Sequence, residues 1–154
     1  MKRTIGVLVI ACGLSASARA DDGEAASCVL RVVSALPGPG GMDPNLAPLK
    51  ARLERPPFLH WKTFHLISEA KHTLKPTESV EFALPGGRTA RLVYAEHDVV
   101  PSGKHRVRGS LAIDGSQTAA RTMFSLDEGG VLLIAGQPFE GGILIYALSC
   151  TTSR

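Results

Sequence analysis

Histidine supplies the side chains in this sequence that are best suited to hold a metal ion. The five histidines are His60, His65, His72, His97 and His105. A compact zinc or copper site needs two imidazoles on one face, which i, i+2 spacing gives on a strand and i, i+4 spacing gives on a helix. No pair has either spacing, and H-E-x-x-H is absent. We therefore expect scattered surface histidines, no metal ligands and no cofactor, with His97-Asp98 the best-placed contributor to any site assembled from loops.

A row of cations is the sharpest local feature. Lys104, Arg106 and Arg108 alternate with His105 and Val107, so on a strand the three cations share one face. We call these three residues the cation strip. Such a row can bind a phosphate-rich lipid head group, an acidic polysaccharide or an acidic patch of an envelope partner. The alternative is a solvent-facing or edge strand whose charge prevents unwanted pairing.

Signals for nucleophilic catalysis are weak. Ser68-Glu69-Ala70-Lys71 matches S-x-x-K, whose chemistry needs a serine at a helix start with lysine one turn away. The segment reads as a strand, which puts Ser68 and Lys71 on opposite faces. K-T-G, S-D-N and G-x-S-x-G are all missing.

The sequence favours a non-catalytic binding or structural protein of the cell envelope, without catalytic residues. The alternative is a small envelope hydrolase with a polar site built from loops near His97. A metal-binding periplasmic protein is the third hypothesis.

The N-terminus has the pattern of an export signal. Lys2 and Arg3 precede an uncharged apolar run from Ile5 to Leu14, and Ala18-Arg19-Ala20 follows. The run is too short to span a bilayer stably, and small residues at the last and third-last positions are typical of signal-peptidase sites. We predict a signal peptide over residues 1–20 and a periplasmic or extracellular mature chain that has no transmembrane segment.

A lipid anchor is the alternative to this soluble form. Val9-Ile10-Ala11-Cys12 loosely fits the box of a bacterial lipoprotein, in which the cysteine is acylated. Lipidation at Cys12 would make residues 13–27 a tether between membrane and domain.

Cleavage after Ala20 removes the excess positive charge. The full chain carries +3. Lys2, Arg3 and Arg19 all leave with the signal, whereas every Asp and Glu stays, so the mature chain has a formal charge of +3 − 3 = 0. A neutral domain lacks the electrostatic footprint of nucleic-acid binding.

Two cysteines remain beyond the signal, Cys28 and Cys150. An oxidising compartment favours their pairing, and no C-x-x-C spacing points to redox or metal chemistry. If the first and last strands are antiparallel neighbours, the two residues face each other near one sheet end. We predict a Cys28–Cys150 disulfide.

Short strands joined by turns dominate the mature chain. Alternating apolar residues predict a hairpin over Ser79–Ala95, a second that joins His105–Ile113 to Thr118–Leu126 through Asp114-Gly115, and a third that runs through Asp127–Gly130 into Val131–Ala135. Leucines at helical spacing allow at most one short helix, near residues 44–54.

These elements predict a mainly β fold, an antiparallel β-sandwich of about 7–9 strands. The predicted organisation is a flexible segment over residues 21–27, one domain over 28–150 and a tail over 151–154. The mature chain as a whole resembles small secreted bacterial β-sandwich proteins to which no function is assigned. That resemblance implies an address and a fold, and it carries over no site residue.

Overall fold

The protein is described by a computed structural model over residues 24–114 and 120–152. The predicted signal peptide over residues 1–20, the possible lipidation site Cys12 and the tip of the second predicted hairpin at Gly115 lie outside these described residues.

The described residues form nine strands in two sheets. The strands are β1 (Ala26–Leu36), β2 (Gly41–Met42), β3 (Thr63–Leu74), β4 (Ser79–Leu84), β5 (Arg88–Val99), β6 (His105–Asp114), β7 (Ala120–Asp127), β8 (Val131–Phe139) and β9 (Gly142–Thr152). One sheet has the order β2-β3-β1-β9-β8 and the other β4-β5-β6-β7. All neighbours are antiparallel except β2 and β3. The predicted mainly β fold is confirmed.

One short helical segment lies where the leucine spacing predicted it. A 3₁₀ helix over Pro44–Leu49 continues into α1 (Lys50–Leu53). Asp43 caps it, because its carboxylate accepts a hydrogen bond from the backbone N–H of Asn45 at 2.9 Å. Within the described ranges no helix is both long enough and apolar enough to cross a membrane.

The inner strand β9 of the five-stranded sheet is buried on both faces. Leu144, Tyr146 and Leu148 of β9 belong to a core cluster that also takes residues from the four-stranded sheet. Ile145 and Ala147 belong to a second cluster, which includes the leucines of the helical segment. Because both faces of β9 are covered, its sequence is a nearly continuous apolar run instead of an alternating one.

The third predicted hairpin is wrong. Asp127–Gly130 does not return the chain to its own sheet, because β7 and β8 belong to different sheets. The physical reason lies in β8, where Leu132 and Ile134 pack against one core cluster and Leu133 packs against the other. Such a two-faced apolar strand needs a sheet that is covered on both sides, and it therefore pairs with β9.

The predicted disulfide is confirmed. Cys28 of β1 and Cys150 of β9 are direct cross-strand partners, with their Cα atoms 4.1 Å apart. Pairing extends past both cysteines, since Ala26 lies opposite Thr152. The paired region of the two strands thus runs from Ala26 on β1 to Thr152 on β9.

Candidate functional site

A hairpin brings two of the five histidines together. β5 and β6 are joined by a tight turn in which the backbone N–H of Gly103 donates to the Val100 carbonyl at 2.8 Å. His97 lies opposite Val107 in this register, and Val99 lies opposite His105. The two histidines are therefore diagonal neighbours on one sheet face, close enough for long side chains to meet.

A β-bulge decides which face carries His97. Tyr94 lies opposite Gly109 and Glu96 lies opposite Arg108, so Ala95 is an extra residue on β5. Strict alternation from the buried Tyr94 would turn Glu96 inward and His97 outward. The extra residue reverses this order, as bulges do where they redirect a side chain. His97 consequently points inward.

Glu24 completes a cluster of three ligand-bearing side chains, here called the Glu-His-His site. His97 Nε2 lies 2.8 Å from His105 Nδ1, and Glu24 Oε2 lies 3.6 Å and 3.5 Å from these two nitrogens. The side chains of His97, His105 and Glu24 are 13%, 18% and 24% exposed. The site is thus partly shielded and open on one side.

The triangle of ligand atoms has the size that a metal ion requires. Zinc bonds of about 2.0–2.1 Å in tetrahedral geometry place ligand atoms about 3.3 Å apart. The observed separations of 2.8, 3.5 and 3.6 Å bracket this value. Displacements of the side-chain ends by a few tenths of an ångström would make the three separations equal.

One oxygen of the site is buried without a partner. Glu24 Oε1 accepts no hydrogen bond from the described residues, although no solvent reaches it. A buried carboxylate oxygen without a donor is costly. A cation held by the second oxygen of the same carboxylate would reduce that cost.

Tyr94 fixes the position of Glu24. Its hydroxyl donates a hydrogen bond of 2.7 Å to the Glu24 backbone carbonyl. Burial, and after it the charge of the Glu24 carboxylate, raise the pKa of the Tyr94 phenol. The hydroxyl therefore remains a neutral donor at physiological pH and ties the segment before β1 to the site.

The imidazoles can share a proton or a metal ion. Their rings stack with centroids 5.0 Å apart, and one ring nitrogen donates to the other across the 2.8 Å contact. That hydrogen bond needs a proton between the two nitrogens, whereas metal binding needs both lone pairs free. The two states exclude each other, so metal binding would displace the shared proton.

The cation strip is present, but its arginines are already paired. Arg106 forms an ion pair of 2.6 Å with Asp127, and Arg108 forms pairs of 2.9 Å with both Glu96 and Asp98. The hydrogen bond from Arg106 lowers the pKa of Asp127. The strip is therefore an alternating row of charges across β5, β6 and β7.

The third member of the strip, Lys104, is exposed in the turn before β6. Val107 is buried on the opposite face, as the alternation predicted.

The remaining chemical candidates stay apart. His60 contacts Trp61, and His72 meets the edge of Phe82. Ser68 and Lys71 both lie within β3, so the S-x-x-K match falls on a strand.

Histidine spacing overlooked the Glu-His-His site because spacing rules treat one element at a time. His97 and His105 are eight residues apart around a turn that contains Pro101 and Gly103. Reading that turn as a hairpin would have paired them. Glu24 carried no sequence signal, because it reaches the site from the other end of the chain.

The Glu-His-His site is identified from the geometry of this chain alone. Comparison with protein-family models, with curated proteins and with solved structures finds no match for this chain.

Proposed function

We propose that this chain is an exported, non-catalytic β-sandwich domain that binds a divalent transition-metal ion through Glu24, His97 and His105. The convergence of two imidazole nitrogens and one carboxylate oxygen carries the proposal. Imidazole with carboxylate suits zinc, copper(II) and nickel, whereas calcium and magnesium prefer all-oxygen sites.

Two features support a ligand site over a polar contact that only stabilises the fold. Glu24 Oε1 is buried without a hydrogen-bond donor from the described residues, so the carboxylate has capacity left for a cation. The site is also partly shielded at one end of the β5–β6 hairpin, where an ion would be held without full burial.

The disulfide supports the exported address. Bonds such as Cys28–Cys150 persist in oxidising compartments. Cleavage after Ala20 would begin the mature chain at Asp21, close to Glu24. Acylation at Cys12 would instead tether the site to a membrane, and the mass of the mature N-terminal peptide separates the two forms.

Metal titration of protein purified without an affinity tag tests the proposal. We expect calorimetry with Zn²⁺ and Cu²⁺ to show one saturable site per chain. His97→Ala and His105→Ala should each weaken binding at least about 100-fold, since loss of even an outer-shell partner costs about 10–100-fold. Binding should also weaken in acid, because protons compete for the same nitrogens.

The matched control is His65→Ala, which removes an exposed histidine outside the site and should leave the affinity unchanged. Equal loss in all three variants, or no saturable binding by the wild type, would refute the proposal.

Three protein ligands also leave a coordination position open, as in hydrolytic zinc centres. Ester or phosphate hydrolysis by the zinc-loaded protein that disappears in Glu24→Gln would favour an envelope hydrolase.

The cation strip remains a second candidate surface, for an acidic envelope partner. Lys104 extends the charged row toward solvent, but the ion pairs of Arg106 and Arg108 compete with any ligand. Replacing all three residues by serine should abolish salt-sensitive association with envelope extract. Unchanged association would exclude this surface.

A further inference from the structure

A second charged groove lies on the outer face of the four-stranded sheet. Arg91 of β5, Ala112 of β6 and Arg121 of β7 are cross-strand partners in one row. The two arginines flank a groove of about 280 Å³, whose lining also includes Ser110 and Asp114. The small side chain of Ala112 forms the floor between the two guanidinium groups.

The two guanidinium groups are not neutralised as the cation strip is. Within the described part of the chain, neither Arg91 nor Arg121 forms an ion pair with a carboxylate. Arg91 donates to the Ser79 hydroxyl at 3.5 Å, and Arg121 donates to the Ser110 hydroxyl at 3.3 Å. Both contacts are long, so the arginines keep most of their donors for a ligand.

Ser110 adds a donor to the floor of the groove. It lies on the outer face and lines the groove, although only 4% of its surface is exposed. Its oxygen accepts from Arg121, which leaves its own hydrogen available. The groove therefore offers two planar guanidinium groups and one hydroxyl donor.

We infer that this groove binds a phosphate-type oxyanion through Arg91, Arg121 and Ser110. Guanidinium groups match the oxygens of phosphate in pairs of parallel hydrogen bonds. The volume fits one phosphate with a small substituent and is below the range of about 300–1,000 Å³ for larger ligands. The groove is separate from the Glu-His-His site, because outer-face side chains line it.

Nearby carboxylates lower the affinity of the groove for phosphate, so removal of one of them should raise that affinity. Asp114 lines the groove, and Glu81 lies opposite Arg91 across β4 and β5. Both repel an anion. Asp114→Asn should therefore tighten phosphate binding, whereas a purely structural role for the arginines predicts no change.

The phosphate could be free in solution or belong to a phospholipid head group. Met123 lies opposite Ser110 on β7 and is 70% exposed. An exposed apolar side chain beside an anion site is placed to enter a lipid surface. Met123→Ser should weaken binding to vesicles that contain phosphatidic acid but leave inorganic phosphate binding unchanged if the head group is the source.

Nuclear magnetic resonance titration of the isotope-labelled protein tests the site directly. Inorganic phosphate should shift the amide signals of Ser110 and Ala112 saturably, with a dissociation constant below about 10 mM, while chloride at equal ionic strength should not. Arg91→Gln and Arg121→Gln should each weaken binding about tenfold or more. Vesicle flotation with phosphatidic acid, against phosphatidylcholine alone, identifies the source.

Arg55→Gln is the matched control, since it removes the same charge from an exposed position after α1. It should leave the phosphate affinity unchanged. Equal weakening by Arg55→Gln and Arg121→Gln would mean that only net charge matters and would overturn the inference. Shifts that never saturate, or that survive both groove substitutions, would overturn it as well.

Discussion

Tyr94 connects the hydrophobic core to the Glu-His-His site at the scale of a single residue. Its ring is fully buried in the cluster that both sheets share. Its hydroxyl reaches the Glu24 carbonyl at 2.7 Å. The same side chain thus fills the core and holds the segment that carries the only carboxylate of the site.

Removal of the Tyr94 hydroxyl should weaken the positioning of Glu24 while the packing of the core is kept. Tyr94→Phe keeps the ring, so we expect the free energy of unfolding to fall by only about 1 kcal/mol. Zinc affinity should fall about tenfold, because Glu24 loses the bond that orients it. Chemical denaturation and calorimetry measure the two effects, and an unchanged zinc affinity would show that Glu24 is held by other contacts.

Tyr94 should also shape the response of stability to alkaline pH. Its folded-state pKa is raised above the ordinary value of 10.0, so the folded protein holds this proton more tightly than the unfolded chain. The contribution is fully present below that ordinary value and is lost as pH rises through the folded-state pKa. The decline should be shallower in Tyr94→Phe. Tyr146, whose pKa burial also raises, is common to both proteins.

The β5–β6 pairing is the element that creates the Glu-His-His site. The bulge at Ala95 turns His97 inward and sends Glu96 outward to Arg108. Gly109, opposite Tyr94, lies immediately beside the bulge. A Cβ atom at Gly109 would clash with the Val93 carbonyl oxygen and come within 2.8 Å of the Phe124 ring.

A side chain at Gly109 should therefore disturb both the sheet and the site. Gly109→Ala should lower the free energy of unfolding by about 1–3 kcal/mol, as overpacking in a core does. It should also weaken metal binding, because the register next to the bulge has to shift. Ser125→Ala, at an exposed position on β7, serves as the control. Wild-type stability in Gly109→Ala would contradict the tight packing around this glycine.

The two ends of the folded chain are joined at the scale of the whole molecule. β1 and β9 lie side by side in the five-stranded sheet, and Cys28–Cys150 links them across 122 residues of sequence. Glu24 lies four residues before this bond. The disulfide therefore helps to keep the segment that carries Glu24 beside the β5–β6 hairpin.

Loss of the disulfide should destabilise the whole domain. The double variant Cys28→Ser/Cys150→Ser should lose about 2–5 kcal/mol of unfolding free energy, mainly because the unfolded chain gains freedom. Urea denaturation with and without reductant measures this effect. Reductant should destabilise the wild type and leave the double variant unaffected; equal effects on both proteins would contradict the assignment.

The sequence by itself determined the local features of this protein. Alternating apolar residues predicted most strands, leucine spacing predicted the helical segment, and the two remaining cysteines predicted the bond. These features depend on neighbouring residues or on simple pairing, which a linear pattern records. The same patterns give β8 the wrong partner, because the choice between sheets depends on which strand faces are covered, and coverage is a property of the packed molecule.

The site itself was decided only by the tertiary structure. One extra residue at Ala95 inverts the face of His97, and no alternation rule predicts where a bulge falls. Glu24 meets His97 and His105 because β1 lies beside β9 and the two sheets pack together, which brings distant segments within 3.6 Å. The sequence supplies the histidines and carboxylates, and long-range packing determines which of them meet.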